Sequence, residues 1–400
     1  MASKPLKIAM IAACPFPAQH GTPSSVIDIC AKLQAAGLDV HVVTYYTRDY
    51  DADFPFAIHR IAPYGVAKQK MGVGPSLRRI LYDFLLVFKV ISVIRRERID
   101  LIHSHNYEGG LAGWLASLVT RRPHVYQAHN TMIDELPQYE SLKPKVLVRA
   151  LARLLDFWVP RTAHHVIAIT SQLKEFLVVK GLPAARVTHI PLAMSMQVFD
   201  QPSASDALQK FSLPEGPKVM YTGTLDVFQR LDLMVEAFAQ AQKVVEKASL
   251  VMVANRYKET QLEALRQKCA DNGVLDRLTV ITDSTLEELP ALLRQADVAV
   301  VSRPDCPGFP MKILNYMAAG APIACFANSA SLLEDGKTAL LAKDHDVADL
   351  AGKMLRLLQD ATLAKSLGVA ARAAFEQSQQ DQSAPKFIEV YRGLCPLESD

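Results

Sequence analysis

At 400 residues the chain is too long for one ordinary core, which points to two or three domains. Half of its residues are hydrophobic and 21% are charged, which excludes a disordered chain. The formal net charge of +3 is too small for a nucleic-acid binder of wholly basic surface, so no nucleic-acid partner is expected and any basic patch must be local.

The six cysteines show no CxxC spacing and no companion histidine cluster, so neither a zinc site nor a disulfide framework is expected. They read as reduced thiols of a cytoplasmic protein. No run reaches about 20 uninterrupted apolar residues, so no spanning helix is expected.

In chain order, residues 7–13 form a buried-strand run rather than a signal peptide. Ser24 and Ser25 can cap a helix that ends near Gly37. Strand runs follow at 40–46, 101–105, 124–129 and 165–170, with a helical stretch from about 75 to 96. A second series begins at 218–223 and continues at 249–254, 278–282, 297–302, 322–326 and 339–342. Strands alternating with helices imply right-handed βαβ units and parallel sheets. The fold class is therefore α/β, with two doubly wound Rossmann-like domains. The Ser-, Pro- and Asp-rich stretch 192–217 serves as hinge. The expected boundaries are 1–192, 193–383 and a terminal helix over 384–400. Two such units facing each other would form a cleft at the carboxyl ends of both sheets, where open α/β sheets bind ligands.

Several residues at strand ends could carry chemistry. Gly21 and Thr22 precede a helix whose free N–H groups suit a phosphate, although a plain βα turn explains them as well. The loop matches neither GxGxxG nor a Walker P-loop. His105 and His129 end two strands. His105 stays open between a structural and a site role, whereas the polar Asn130–Thr131 turn favours function for His129. Gly223 and Thr224 form a turn that could hold a diphosphate, with Arg230 nearby or else merely solvated. Residues 303–326 read as a loop from Arg303 through Gly308, a helix and a strand. Lys312 stands in that helix's first turn, where positive charge opposes the helix dipole. A ligand phosphate explains it better than a lysine reaching for solvent. Asn315 lies one turn further on a similar face.

With these motifs the chain resembles the family 4 retaining glycosyltransferases of the GT-B fold, over nearly its whole length. The resemblance rests on LIHSHN, YQAHN, AHHVIAITSQLKEFL, YTGTL, QADVAVVSR and, above all, GFPMKILNYMAAGAPI. It implies a nucleotide-sugar donor held by the second domain and an acceptor by the first. It also implies retention of anomeric configuration, no metal and no other cofactor, and a terminal helix crossing back to the first domain. Gly21 would lie near the donor phosphates and His129 near the sugar. Gly308, Phe309, Pro310 and Met311 would surround sugar and diphosphate, and position 315 would meet the ribose. Thr22, Gly223, Thr224 and Arg303 would complete the donor side, and His105 and Asn130 would face the acceptor. His129, Lys312 and Arg230 are the expected catalytic groups.

The chain departs from the usual motif. Pro307 and Asn315 stand where the family has two glutamates, and Gln229 and Arg230 where it has lysine and glycine. It resembles a subset with a GFPMK-type loop, in which Lys312 would supply the missing cation. Asn315 can still hydrogen-bond a ribose but cannot act as a base. The metal-dependent fold has little support, since Asp51–Asp53 and Asp344–Asp346 are DxD matches in polar loops.

Residues 68–98 combine basic side chains with a dense apolar stripe. They fit either an anionic membrane surface on the inner face, with a glycan or lipid-linked acceptor of the cell envelope, or a buried helix with basic ends. Two competing functions remain: a GT-B sugar-nucleotide epimerase, which the missing carboxylates disfavour, and a catalytically silent nucleotide-sugar or partner binder, which they favour.

Overall fold

The structure is a computed structural model. It describes residues 5–14, 16, 22–46, 54–62, 77–139, 142–192, 199, 210–254, 257–285, 287–306, 310–379 and 383–395. The chain divides into two compact units. Unit 1 holds residues 1–194 and 381–400, and unit 2 holds 195–380.

Unit 1 is a seven-stranded, all-parallel sheet. Its strands are β1 (Lys7–Ala12), β2 (Asp39–Thr44), β3 (Ala57–Arg60), β4 (Leu101–His105), β5 (His124–Ala128), β6 (His165–Ala168) and β7 (Val187–His189). They lie in the order β3-β2-β1-β4-β5-β6-β7. The helices are α1 (Thr22–Ala35), α2 (Leu77–Glu97), α3 (Asn106–Thr120), α4 (Met132–Glu135), α5 (Lys145–Thr162) and α6 (Ser171–Val179). The inner strands are apolar runs because helices cover both faces. Ile8, Met10 and Ala12 of β1 pack toward α1, while Ala9 and Ile11 pack toward α2 and α3.

Helix α1 begins at Thr22, two residues before the expected Ser24–Ser25 cap. Ser25 instead donates its hydroxyl to the Thr22 carbonyl at 2.9 Å.

Unit 2 repeats the plan with six parallel strands. They are β8 (Lys218–Thr222), β9 (Ser249–Val253), β10 (Leu278–Ile281), β11 (Val298–Val301), β12 (Ile323–Phe326) and β13 (Leu340–Ala342), in the order β10-β9-β8-β11-β12-β13. Its helices are α7 (Leu231–Gln242), α8 (Glu259–Asp271), α9 (Leu289–Leu293), α10 (Lys312–Ala319), α11 (Val347–Gln359) and α12 (Ala361–Gln379). Helix α7 packs on α8 and α11, and α10 packs on α9 and α12.

The last helix, α13 (Ser383–Leu394), returns to unit 1 beside α1. Phe387 and Tyr391 enter the core there, and the Tyr391 hydroxyl lies 2.6 Å from Nδ1 of the buried His103. In each unit the strand order reverses once, between β1 and β4 and between β8 and β11. The carboxyl ends of those strands are where doubly wound sheets bind ligands.

Candidate active site

In unit 2 the site is built where β8 and β11 end. Tyr316 of α10 is fully buried and joins both strands. Its oxygen accepts the Thr222 N–H at 3.0 Å and donates to the Val300 carbonyl at 3.3 Å. This fixes α10 over the turn that follows β8. Gly223 takes φ +133°, a region side-chain-bearing residues rarely enter, and its N–H donates to the Val253 carbonyl at 3.0 Å. A Cβ there would lie 3.2 Å from both Lys312 Nζ and the Tyr221 hydroxyl. The Tyr221 hydroxyl donates to the Thr224 carbonyl at 2.7 Å and closes the turn.

Lys312 opens α10 and reaches back over this turn. Its ammonium sits 3.8 Å from the Tyr221 ring centroid and donates to Gln229 Oε1 at 2.8 Å. Gln229 is itself held, because Ser302 donates to its carbonyl at 2.8 Å. Among the described residues Lys312 forms no ion pair. Burial pushes its pKa well below the usual lysine value, and the positive Arg303 pushes it further down. An amine whose charged form has no counter-ion among the described residues is a ready anion site, because a bound phosphate would hold it protonated. The Arg303 guanidinium lies 4.9 Å from the Phe228 ring centroid, and its buried Nε has no hydrogen-bond partner among the described residues.

Arg230 has a different setting. It sits in the left-handed region at φ +50°, at the start of α7. It grips Asp232 at two points, Nη2–Oδ2 at 2.8 Å and Nε–Oδ1 at 3.0 Å. Its charge is thus largely answered by a carboxylate, and the field on Lys312 comes from Arg303 instead. Asn315 is half-buried, and its amide makes no hydrogen bond among the described residues. The carbonyls of Pro310 and Met311 accept from Ile313 and Leu314 and form the first turn of α10. Gly21, Gly308 and Phe309, like Pro307, lie outside the described residues. Thr22 is described only as the first residue of α1, with its carbonyl taken by Ser25.

The acidic DxD positions are occupied structurally. Asp344 accepts the Asn328 N–H and Asp346 caps α11 by accepting from Asp349, each at 2.9 Å. Asp51 and Asp53 lie outside the described residues.

In unit 1 the histidines form a buried relay. His105 closes β4 and His129 follows β5. His105 Nδ1 lies 3.0 Å from His129 Nε2, and His105 Nε2 lies 2.9 Å from Met10 Sδ. Burial pulls His129 down to about 4 and holds His105 well below its usual value, so both rings are neutral near pH 7. A thioether carries no proton, so His105 Nε2 is the donor to Met10. His105 Nδ1 is then bare and accepts from His129 Nε2–H. The outcome is a His129 ring that offers the Nδ1 lone pair. His105, left open by the sequence, is fully buried and is hydrogen-bonded to His129.

Asp156 is a site-supporting residue that sequence reasoning missed. It is 3% exposed and projects inward from α5. Its two oxygens accept the Met132 N–H at 2.7 Å and the Ile133 N–H at 2.9 Å, and Tyr107 donates to the same carboxylate. It thereby anchors the loop that carries His129 and Asn130. The Asn130 side chain donates to Glu135, and its backbone carbonyl lies 3.3 Å from the Tyr107 oxygen. A carboxylate among apolar helix residues is the one sequence signal that could have marked Asp156.

Two parallel doubly wound units, with a cation at the reversal point of the second, define a GT-B architecture. A model described as Glycosyltransferase Family 4 matches residues 20–196, and one described as Glycosyl transferases group 1 matches 216–360. A D-inositol 3-phosphate glycosyltransferase of Streptosporangium roseum is 24% identical over 389 residues, covering 92% of this chain and 87% of its own. Sucrose-phosphate synthase from Thermosynechococcus elongatus superposes with a TM-score of 0.80 at 21% identity, over 98% of this chain and 99% of that one. Anabaena HepE, solved in complex with UDP and glucose, gives 0.75 at 18% identity over 97% and 99%. The chain belongs to the family 4 glycosyltransferases of the GT-B fold. Its relatives are transferases and not epimerases, which removes the epimerase reading.

Proposed function

We propose that the chain transfers a hexose from a nucleoside-diphosphate sugar to a glycan or lipid-linked acceptor, with retention of configuration. The observation that carries this is Lys312: a half-buried lysine amine over Tyr221 and Gln229, beside Arg303, with no carboxylate paired to it among the described residues. As the glycosidic bond breaks, negative charge builds on the departing diphosphate. A preorganised cation in a desolvated setting stabilises that charge far more than water does. Lys312 and Arg303, with Arg230 at the margin, then do the charge work that a metal ion does elsewhere, and no metal is assigned.

The turn after β8 would offer the Thr224 N–H to the donor phosphates, the Gly223 N–H being taken by the Val253 carbonyl. Asn315 would hydrogen-bond a ribose hydroxyl. His129 would accept a hydrogen bond from a sugar hydroxyl through Nδ1. With Pro307 and Asn315 in place of two glutamates, no carboxylate is assigned as nucleophile. The departing phosphate oxygen takes the acceptor's proton on the same face, which gives retention. UDP-glucose is the first donor to try, since HepE was solved with it. The acceptor side is assigned to unit 1 at the cytoplasmic face of a membrane, as an envelope-type glycan.

A thermal-shift panel of nucleotide sugars followed by a transfer assay tests the reading. The cognate donor should raise the melting temperature. Lys312→Ala should cut turnover by about two to three orders of magnitude. Near-normal turnover in that variant would sink the role of Lys312. The silent-binder reading, motivated by Pro307 and Asn315, predicts stabilisation of the unsubstituted protein without any turnover.

A further inference from the structure

Exposed apolar surface is spread unevenly over this chain. Of the eighteen exposed large apolar side chains among the described residues, thirteen lie on α2, α3 and α5. Single exposed apolar residues are ordinary, whereas contiguous ones mark a contact surface. Helix α3 packs against both α2 and α5, so the outer sides of the three form one layer.

On α5, Leu147, Leu151, Leu154 and Trp158 recur at i, i+4, i+7 and i+11, and each is 47–65% exposed. Val148, Ala152, Asp156 and Val159 of the same helix are buried. The helix therefore has two apolar faces, and the fold uses one. On α2, Ile80, Phe84 and Phe88 repeat every four residues at 56–63% exposure. Trp114 of α3 meets Trp158 of α5 edge-on at 5.1 Å, so the faces are continuous.

The charge around this layer is basic. Helices α2 and α5 carry nine Lys and Arg against three acidic residues, twice the net charge of the whole chain. Two of the three acids turn inward, Asp83 to Tyr45 and Asp156 to the amides of α4, and Glu97 is paired with Arg96. Arg78 and Arg79 also turn inward, to Tyr82 and Glu108, and Arg96 is answered by Glu97, so the outward charge comes from Arg95, Arg149 and Arg153. At the carboxyl ends of α2 and α3 a pocket of about 390 Å³ gathers Arg95, Arg98 and Arg122 with Ile94, Val119, Thr120 and one carboxylate, Asp100, which accepts the Lys7 N–H at 3.0 Å. Val119 is an exposed member of the layer, and Arg95 continues the Phe84–Phe88 stripe by two turns, so pocket and layer are contiguous. The pocket lies at the amino ends of β4 and β5, the opposite edge from His129.

We propose that the α2–α3–α5 face docks on the surface of an anionic lipid bilayer. Headgroup phosphates meet the Arg95–Arg98–Arg122 pocket, and the apolar stripes enter the acyl boundary. A second copy fits poorly, because it would bring like-charged rows together. No described helix is long and apolar enough to cross a membrane, so the contact is peripheral. Docking has a route to the site, since α5 shows Trp158 to the outside and holds the His129 loop through Asp156. The inference deepens the acceptor reading by naming a bilayer-borne acceptor, and it rests on that reading only for this last step.

The test is cosedimentation of the full chain with phosphatidylcholine vesicles, with and without phosphatidylglycerol. Binding should require phosphatidylglycerol and fall as salt rises from about 0.1 to 1 M, where the screening length drops to roughly 3 Å. Phe84→Ser with Leu151→Ser should weaken binding at least about tenfold, with the melting temperature unchanged because both sites are exposed. Should that variant unfold, Arg95→Gln with Arg122→Gln carries the test by removing the preference for phosphatidylglycerol. No binding at low salt overturns the proposal, as does equal binding to neutral vesicles. A dimer dispersed by the same substitutions would overturn it in favour of self-association. Vesicle binding without sugar transfer would sink the transferase reading while leaving docking intact, so the two failures are distinguishable.

Discussion

His129 owes its proton position to a sulfur atom two residues removed in the relay. Met10 accepts from His105 Nε2–H, and this leaves His105 Nδ1 to accept from His129. Met10→Leu nearly conserves volume but removes the acceptor. A hydrogen bond of this kind contributes about 0.5–1.5 kcal/mol, so kcat should fall roughly 2- to 10-fold. Nitrogen NMR of the two rings should show mixed tautomers in the variant. Unchanged tautomers with a lower melting temperature would mean that Met10 only fills space. Residues of this kind differ in how well the sequence reveals them. Lys312 was legible because a lysine at a helix start opposes the dipole and asks for a reason. Gln229 and Arg303 were singled out as positions, but their contacts with Lys312 and Phe228 were not, nor was Tyr221. A tyrosine in a strand reads as an ordinary sheet former, and a partner 83 residues away, as Gln229 is from Lys312, has no local signature.

Helix α10 is placed by its end as much as by its start. Gly320 terminates it at φ +68°, and Gly368 of α12 faces the Gly320 carbonyl so closely that a Cβ would lie 2.2 Å from that oxygen. The two helices touch backbone to backbone. Gly368→Ala must push them apart and should cost about 1–3 kcal/mol. The melting temperature of unit 2 should drop by roughly 2–10 °C, and donor KM should rise because α10 carries Lys312 and Asn315. Gly352→Ala in α11 is the control: nothing lies within 4 Å of its added Cβ, so stability should hold or rise slightly. If both variants melt alike, the close crossing does not position the helix. Elements such as α10 and the inner strands were readable from apolar runs and the Gly320 stop. The edge strands β3 and β7 were not, since short half-buried segments such as AIHR lack a period strong enough to separate them from loop.

The two units differ most in their histidines. Ten of the eleven belong to unit 1, and unit 2 has only the exposed His345 beside Asp305. The alternation of strands and helices made the two-unit plan legible, yet this asymmetry in burial was invisible, because a histidine at a strand end looks the same whether buried or exposed. Burial pulls His103 and His124 down to about 3 and His129 to about 4, with His105 well below its usual value. Each stays neutral in the folded unit while the unfolded chain protonates near pH 6.5. Above that pH neither state binds the proton, and stability is at its full value. Below it only the unfolded state does, so stability falls as pH drops, by about 1.4 kcal/mol per pH unit for each histidine until the folded-state pKa is reached. Four such groups between pH 6.5 and 5.5 should lower the melting temperature of unit 1 by on the order of 10 °C. Unit 2 should barely respond in that window. Both tryptophans, Trp114 and Trp158, lie in unit 1, so their fluorescence reports that unit alone, whereas far-ultraviolet dichroism sees both. Thermal scans at pH 7.5, 6.5 and 5.5 should therefore show the fluorescence transition moving down and separating from a second, pH-insensitive dichroism transition. A fluorescence midpoint that holds steady down to about pH 5.5 would mean that the unfolded chain gains no protons over the folded one, and that the buried histidines do not remain neutral.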